Sequence, residues 1–420
     1  WLKPSWLKPR SSSRCLVASR PLSLFLLAEP RLLANAMGCG GSKQKGPTPE
    51  AARRRLSVGH VDKDAGQEAG GETDEADRGL ITDLTEQNIM DMLQTTEGDR
   101  KFSIGTNTDQ GKTSFANKSV QQFGDDIDTS TSGLGYTCRK GLKPESPNQD
   151  SWSVLNVEGQ YSIYAVFDGH GQKGHDVSNF VKENLPKLII RDQRFKTDEM
   201  QDMMKDCFKK VQSLISLQDR MKKLSAQMSG TTASVAIFDH VKMKLTVAHV
   251  ADSTIVLGRY KDKVGGQLEG LALTRDHKPD LKDERARIEK AGGRVVFDGY
   301  ANHRVYAKNA RYPGLNMSRC LGDLMGHADA GCSAEPEVNE RDVTSLDHVL
   351  LVCSDGVWEF MQASEAVAMV SEFPPAKSMI AAERLAKESW DRWIREEGGA
   401  VVDDITVVLV YLQHVNKPPP

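Results

Sequence analysis

The stretch Tyr161-Ser162-Ile163-Tyr164-Ala165-Val166-Phe167-Asp168-Gly169-His170-Gly171 constrains this chain more than any other. Seven residues rich in aromatic and β-branched side chains read as a buried strand, and the run stops at an acid framed by glycine. Asp168 therefore belongs at the strand's end. Gly169 and Gly171 let the backbone turn tightly there, so that its carbonyls and the His170 imidazole face the same point as the carboxylate. A carboxylate and an imidazole converging in this way suit a hard divalent cation beside an acid/base group. An isolated Asp-Gly-His is also an ordinary polar turn, so its partners decide the reading.

Two more strand-like runs carry acids at an end. His348 to Cys353 runs into Ser354-Asp355-Gly356-Val357-Trp358-Glu359, and Asp403-Asp404 opens Ile405 to Leu412. Between the central turn and these runs lie Ser229-Gly230-Thr231-Thr232-Ala233, Val250-Ala251-Asp252-Ser253, Asp276-His277-Lys278-Pro279 and Ser318-Arg319-Cys320-Leu321-Gly322-Asp323. In this order the motifs resemble the metal-dependent Ser/Thr protein phosphatases of type 2C, the PPM-type family, over residues 132 to 412.

The resemblance implies an α+β fold in which two antiparallel β-sheets pack as a sandwich flanked by helices, with metals at one end between the sheets. Consecutive strands alternating with pairs of long helices agree with that class better than with a parallel sheet. The implied activity is hydrolysis of phosphoserine and phosphothreonine in proteins by a water activated between two Mg²⁺ or Mn²⁺ ions, with a third, weaker ion in some members. Residue by residue, the resemblance makes Asp168 the bridging ligand, Gly169 a carbonyl ligand, and Asp355 and Asp404 ligands from the other strand ends. Asp150 is the retained acid of a pair whose other position, often a metal-ligating glutamate, is Gln149 here. Asp252 and Glu359 match the third site, although Glu359 is one methylene longer than the usual aspartate, and Asp252 is equally suited to capping the turn before Thr254. His170 is the implied general acid, acting beside the catalytic Asp168. One of Arg139, Lys140 and Lys143 is expected to meet the phosphate. Arg319 and Asp323 are read as a structural pair supporting a flap over residues 297 to 315. Two other readings are a binding module that has lost catalysis and a metal-dependent phosphohydrolase of a small phosphorylated molecule. The intact carboxylates weigh against the first.

A net charge of −3 over 420 residues gives no general attraction to nucleic acid. Seven cysteines, at positions 15, 39, 138, 207, 320, 332 and 353 without a Cys-x-x-Cys pair, argue against a zinc ribbon or a disulfide framework and for a reducing compartment. No uninterrupted apolar run reaches the roughly 18 residues that span a bilayer. Phosphoprotein substrates and a monomer are expected.

Residues 1–36 carry a tandem repeat, Trp1-Leu2-Lys3-Pro4 and Trp6-Leu7-Lys8-Pro9, and a single acid, Glu29. They read as a transit-like leader or, by preference, as translated sequence upstream of a start at Met37. Met37-Gly38-Cys39-Gly40-Gly41-Ser42 fits an N-myristoylation pattern at Gly38, with Cys39 placed for a second acyl chain and Lys43, Lys45 and Arg53 to Arg55 following. This predicts attachment to the cytoplasmic face of a membrane, and otherwise a cytosolic enzyme. Ser57, after Arg54-Arg55-Leu56, resembles a basophilic kinase site. The division expected is therefore 1–36 as a leader, 37–131 as anchor, tether and short helix, 132–412 as the phosphatase domain and 413–420 as a tail.

Within these bounds, residues 80–93 predict a short amphipathic helix, 95–131 a polar loop, and 174–191 and 197–228 two long helices. Residues 232–238, 244–250 and 254–260 predict an antiparallel meander with Asp252 in its second turn, and 279–290 a helix stopped by Gly292-Gly293.

Overall fold

The computed structural model describes residues 75–414, except 99, 109–116 and 145–146. Gly38, Cys39, Ser57 and the segment 1–36 lie outside the described residues.

The elements begin with α1 (Glu75–Glu86), a helical turn (Ile89–Met92), β1 (Lys101–Thr106), β2 (Val120–Gly124), β3 (Leu134–Arg139), β4 (Asp150–Val157) and β5 (Tyr161–His170). Two long helices follow, α2 (Gly174–Arg191) and α3 (Met200–Arg220), then β6 (Gly230–Thr231), β7 (Ala233–Asp239), β8 (Lys244–Val250), β9 (Thr254–Tyr260) and β10 (Leu268–Ala272). Next come α4 (Lys282–Lys290), β11 (Arg294–Phe297), β12 (His303–Tyr306), β13 (Pro313–Leu315), β14 (Leu321–Gly322), β15 (Glu337–Asp342) and β16 (Asp347–Cys353). After a helical turn at Asp355–Trp358 the chain closes with α5 (Ala363–Val370), α6 (Ser378–Glu396) and β17 (Ile405–Tyr411).

One sheet has the order β15-β8-β7-β5-β4-β1-β2 and the other β10-β9-β16-β17-β3, with antiparallel neighbours throughout. Side chains alternate between the faces of a strand, so a strand covered on both sides reads as a continuous apolar run. In β5, Tyr164 and Val166 meet Val352, Val408 and Val410 of the opposing sheet, while Ile163, Ala165 and Phe167 pack under Val181 and Leu185 of α2 and Phe208 of α3. β17 divides in the same way, with Val407, Leu409 and Tyr411 turned toward Ala382 and Leu385 of α6. The result is the expected layering, helices outside two sheets packed face to face.

Three expectations need correction. The strands at 232–260 are not one meander: β7 and β8 pair, but β9 pairs with β16 and β10 in the other sheet. The connection carrying Asp252 crosses between the sheets, bending at Ala251 with φ 72°, a left-handed conformation rare for alanine. Residues 95–131 are not all loop, because β1 and β2 extend the first sheet and Phe102 and Ile104 enter the inter-sheet core. The folded unit therefore starts before Gly133, with Ile81, Leu84 and Leu93 packed into the core beneath α2 and α3. At the flap, β11, β12 and β13 form a small sheet of their own.

Candidate active site

The acids collect at one end of the sandwich because antiparallel neighbours bring strand starts and strand ends together. Asp150 opens β4 directly opposite Asp168 near the end of β5, and like charges facing each other across a strand pair are unfavourable without a counter-ion. From the other sheet, Ser354 Oγ at 2.8 Å and Thr406 Oγ1 at 2.6 Å donate hydrogen bonds to Asp150 Oδ2, tying the two layers together at this end. The other oxygen, Asp150 Oδ1, is buried with no hydrogen-bond partner, and so is Asp355 Oδ1.

Burial, then the charges of Asp150 and Asp355, hold the Asp168 carboxyl well above the usual range. Burial and the charges of Asp403 and Asp252 do the same to Asp355, and burial with Asp404 pushes Asp150 up to about 6. A cluster that resists its own ionisation, with orphaned carboxylate oxygens in it, fits bound divalent cations, which take oxygen donors and stabilise the ionised form.

At the C-terminal edge the structure corrects the assignment. Asp404, fully buried, accepts hydrogen bonds from the Gly141 N–H and the Gln149 N–H, both at 2.8 Å, one on each oxygen. Its carboxylate thereby pins the loop before β4. Asp403 is the acid whose charge reaches Asp355 and Asp168.

Lys143 settles which basic residue enters the cluster. Its ammonium pairs with Asp403 and lies 3.5 Å from Asp404 Oδ2. Against the effect of burial, the charges of Asp403, Asp404, Asp168 and Asp150 hold it well above its ordinary value. Arg139 instead pairs with Glu383 of α6, and Lys140 Nζ donates to the Lys143 carbonyl at 3.2 Å. The Gln149 side-chain amide donates to the Gly171 carbonyl at 2.6 Å and braces the turn beyond His170. That turn needs Gly169, since a Cβ there would come within 2.4 Å of the Gly174 carbonyl oxygen.

Asp252 is buried and paired with Lys278, while its neighbour Ser253 hydrogen-bonds Thr232 Oγ1 at 2.7 Å. The Asp252 carboxylate takes the Lys278 ammonium, and the Thr254 hydroxyl donates to Asp276 Oδ1 at 3.1 Å. Glu359 is exposed at the end of the Asp355–Trp358 turn.

The residue that sequence reasoning placed wrongly is Asp323. Arg319 pairs with Glu284, not with Asp323. Asp323 is fully buried and lies 2.5 Å from His170 Nε2. β6 runs between β5 and β14, with Gly230 opposite both His170 and Gly322, which delivers the next residue, Asp323, beside the imidazole. Asp323 adopts φ 42°, and Gly230 clears the space, because a Cβ there would sit 2.1 Å from Asp323 Oδ2 and 2.8 Å from His170 Nε2. Burial alone would push the His170 imidazole down, but the Asp323 carboxylate, by charge and by hydrogen bond, holds it above its ordinary value. An imidazolium with Nε2–H on Asp323 keeps a second proton on Nδ1, which has no partner.

The chain matches known proteins over most of its length. The family model "Protein phosphatase 2C" matches residues 144–396. A probable protein phosphatase 2C 72 of Arabidopsis thaliana is 31% identical over 310 residues, covering 71% of this chain and 91% of the relative. A probable protein phosphatase 2C 48 of Oryza sativa subsp. japonica is 33% identical over 268 residues, 59% of this chain and 74% of its own. Among solved structures, the serine-threonine phosphatase 2C of Toxoplasma gondii superposes with TM-score 0.54 at 21% identity, over 66% of this chain and 94% of that one. A C. elegans sex-determining protein does so with TM-score 0.55 at 22% identity, over 68% and 67%.

Proposed function

This chain belongs to the protein phosphatase 2C family and is a metal-dependent protein-serine/threonine phosphatase, and from that premise we propose that Asp168, Asp355 and Asp403 hold two Mg²⁺ or Mn²⁺ ions at which phosphoserine and phosphothreonine are hydrolysed. The observation that carries the reading is a set of acids, buried Asp150 and Asp168 with half-buried Asp355, each pushed up by burial and by its neighbours, beside one imidazole with an unshared proton site. Bound divalent ions supply positive charge against the phosphoryl oxygens and lower the pKa of a water. An all-oxygen donor set favours Mg²⁺ or Mn²⁺ over zinc.

The chain's own groups do the rest. Asp150, fixed by Ser354 and Thr406, keeps one oxygen free toward the cluster. Asp404 anchors the loop that carries Lys143, and Lys143 supplies a cation for the phosphoryl oxygens. His170 holds a proton at Nδ1 for the departing serine or threonine oxygen, and Asp323 fixes the ring through Nε2, leaving Nδ1 without a protein partner. Turnover of a phosphothreonine peptide with Mn²⁺, abolished by chelator, against no turnover of a sugar phosphate tests the assignment. Equal turnover of both substrates refutes protein specificity.

The N-terminal pattern supports a location. A myristoyl chain at Gly38 binds a membrane only marginally alone, so Cys39 acylation or the basic residues Lys43, Lys45 and Arg53 to Arg55 supply the second signal. Phosphate on Ser57 adds about −2 charge beside Arg54 and Arg55 and weakens that attraction. A Gly38→Ala protein expressed from Met37 then moves to the soluble fraction; its retention on membranes refutes the anchor.

A further inference from the structure

We propose that the chain carries a second metal site of different chemistry, a thiolate–imidazole–carboxylate site formed by Cys320, His170 and Asp323, which takes a thiophilic divalent cation such as Zn²⁺ and shuts the enzyme off. One ligand atom from each of these three residues lies within 4.8 Å of the others. Cys320 and Asp323 are fully buried, and the His170 side chain, 17% exposed, is the side from which an ion enters.

One buried atom in the group, Asp323 Oδ1, has no hydrogen-bond partner, and an unpartnered polar atom in a closed pocket invites a cation or a donor. The surroundings are soft. The Cys332 thiol interacts with that of Cys320, so a second sulfur flanks the first, while His327 Nε2–H donates to the Cys320 carbonyl at 3.1 Å and holds the backbone there. Bonds of about 2.3 Å to sulfur and about 2.0 Å to nitrogen put tetrahedral ligand atoms roughly 3.3 to 3.5 Å apart. Ligand atoms already within 4.8 Å therefore close on an ion by small shifts, while the His170–Asp323 contact of 2.5 Å opens to admit it.

Ligand softness separates the two sites, since Mg²⁺ and Mn²⁺ prefer the carboxylates and Zn²⁺ the sulfur and imidazole. On binding, the Cys320 thiol proton leaves to solvent and a sulfur–metal bond forms, with no change of oxidation state. His170 then coordinates metal instead of holding a proton, and Asp323 no longer orients it. A second group, His249, His277 and Glu337, is less suited. Its rings stack 12° from parallel, so their in-plane lone pairs do not share a point, and Arg275 already occupies Glu337.

The inhibitory consequence rests on His170 as proton donor, whereas the site itself does not. The test uses the full chain with saturating Mg²⁺ and Co²⁺ as a spectroscopic stand-in for zinc. A thiolate-to-Co²⁺ charge-transfer band is expected in the near ultraviolet, absent from Cys320→Ala and from the near-isosteric Cys320→Ser, and kept in Asp168→Asn. Zn²⁺ is expected to inhibit phosphopeptide turnover at a concentration at least about tenfold lower in the parent than in Cys320→Ser, each against its own zinc-free rate. The proposal falls if no band appears, if the band survives in Cys320→Ser, or if unreduced protein shows Cys320 joined to Cys332 as a disulfide. A band without inhibition keeps the metal site and overturns His170 as the proton donor.

Discussion

Replacing Asp403 and Asp404 separately by asparagine separates metal ligation from loop support. Asp404 is fully buried and accepts one backbone N–H on each oxygen, from Gly141 and from Gln149. An asparagine has a single acceptor oxygen, so one of those N–H groups would face an NH₂ and lose its charge-assisted bond, at a cost of about 2 to 4 kcal/mol. Asp404→Asn should therefore lower unfolding free energy in urea by about 3 kcal/mol without added metal, and weaken turnover through a loosened loop around Lys143. Asp403 accepts one backbone N–H, that of Asp404 at 2.6 Å, which an asparagine oxygen can keep, and it faces the charges of Asp355 and Asp168. Asp403→Asn should leave stability within about 1 kcal/mol, since losing its pairing with Lys143 is offset by relief of like-charge repulsion, but raise the Mn²⁺ needed for half-maximal turnover at least tenfold. The assays are urea unfolding followed by fluorescence and an Mn²⁺ titration of phosphopeptide hydrolysis. If Asp404→Asn is as stable as the parent and carries the metal defect, the division of roles is wrong.

His170→Ala should slow phosphopeptide hydrolysis on the order of 10² to 10⁴-fold and hydrolysis of nitrophenyl phosphate, whose leaving group needs no proton, much less; equal losses would make His170 a structural residue. Gly230→Ala, which drives a methyl into Asp323 and His170, should reproduce that leaving-group dependence without touching a carboxylate of the cluster; unchanged kinetics on both substrates would count against the His170–Asp323 pair. His240, hydrogen-bonded to Ser162 at 2.9 Å, is pushed down to about 4 by burial. The unfolded imidazole charges near pH 6.5 while the folded one stays neutral, so its contribution is full above pH 6.5 and is lost as pH falls toward 4. Between pH 7 and pH 5 the stability lost is about 2 kcal/mol, and His240→Gln should remove that part of the slope.

Much of the site is legible along the chain because two-sided burial writes strands as continuous apolar runs, here bounded by acids at one end. β5, β16 and β17 all show this, and their ends supply Asp168, Asp355 and the Asp403-Asp404 pair. What the chain does not display is direction and distance. Asp403 and Asp404 are adjacent, and nothing local tells which one turns into the cluster and which onto the Gly141 and Gln149 amides. Asp323 follows His170 by 153 positions and reaches it through two-residue strands and a left-handed turn that carry no periodicity. The crossover at Ala251 hides for a similar reason, since alanine in a positive-φ bend gives none of the glycine signal that marks such turns. β1 was detectable in principle: Phe102, Ile104 and Thr106 alternate inward over six residues, a pattern that a polar neighbourhood masks.

The most direct test of the account is the rate of phosphothreonine-peptide hydrolysis by Asp168→Asn across an Mn²⁺ titration. Because this carboxylate stands opposite Asp150 and within the field of Asp355, its loss should weaken every bound ion at once and leave almost no turnover at Mn²⁺ levels that saturate the parent. Full turnover by that variant at low Mn²⁺ would contradict a metal-dependent hydrolysis centred on Asp168.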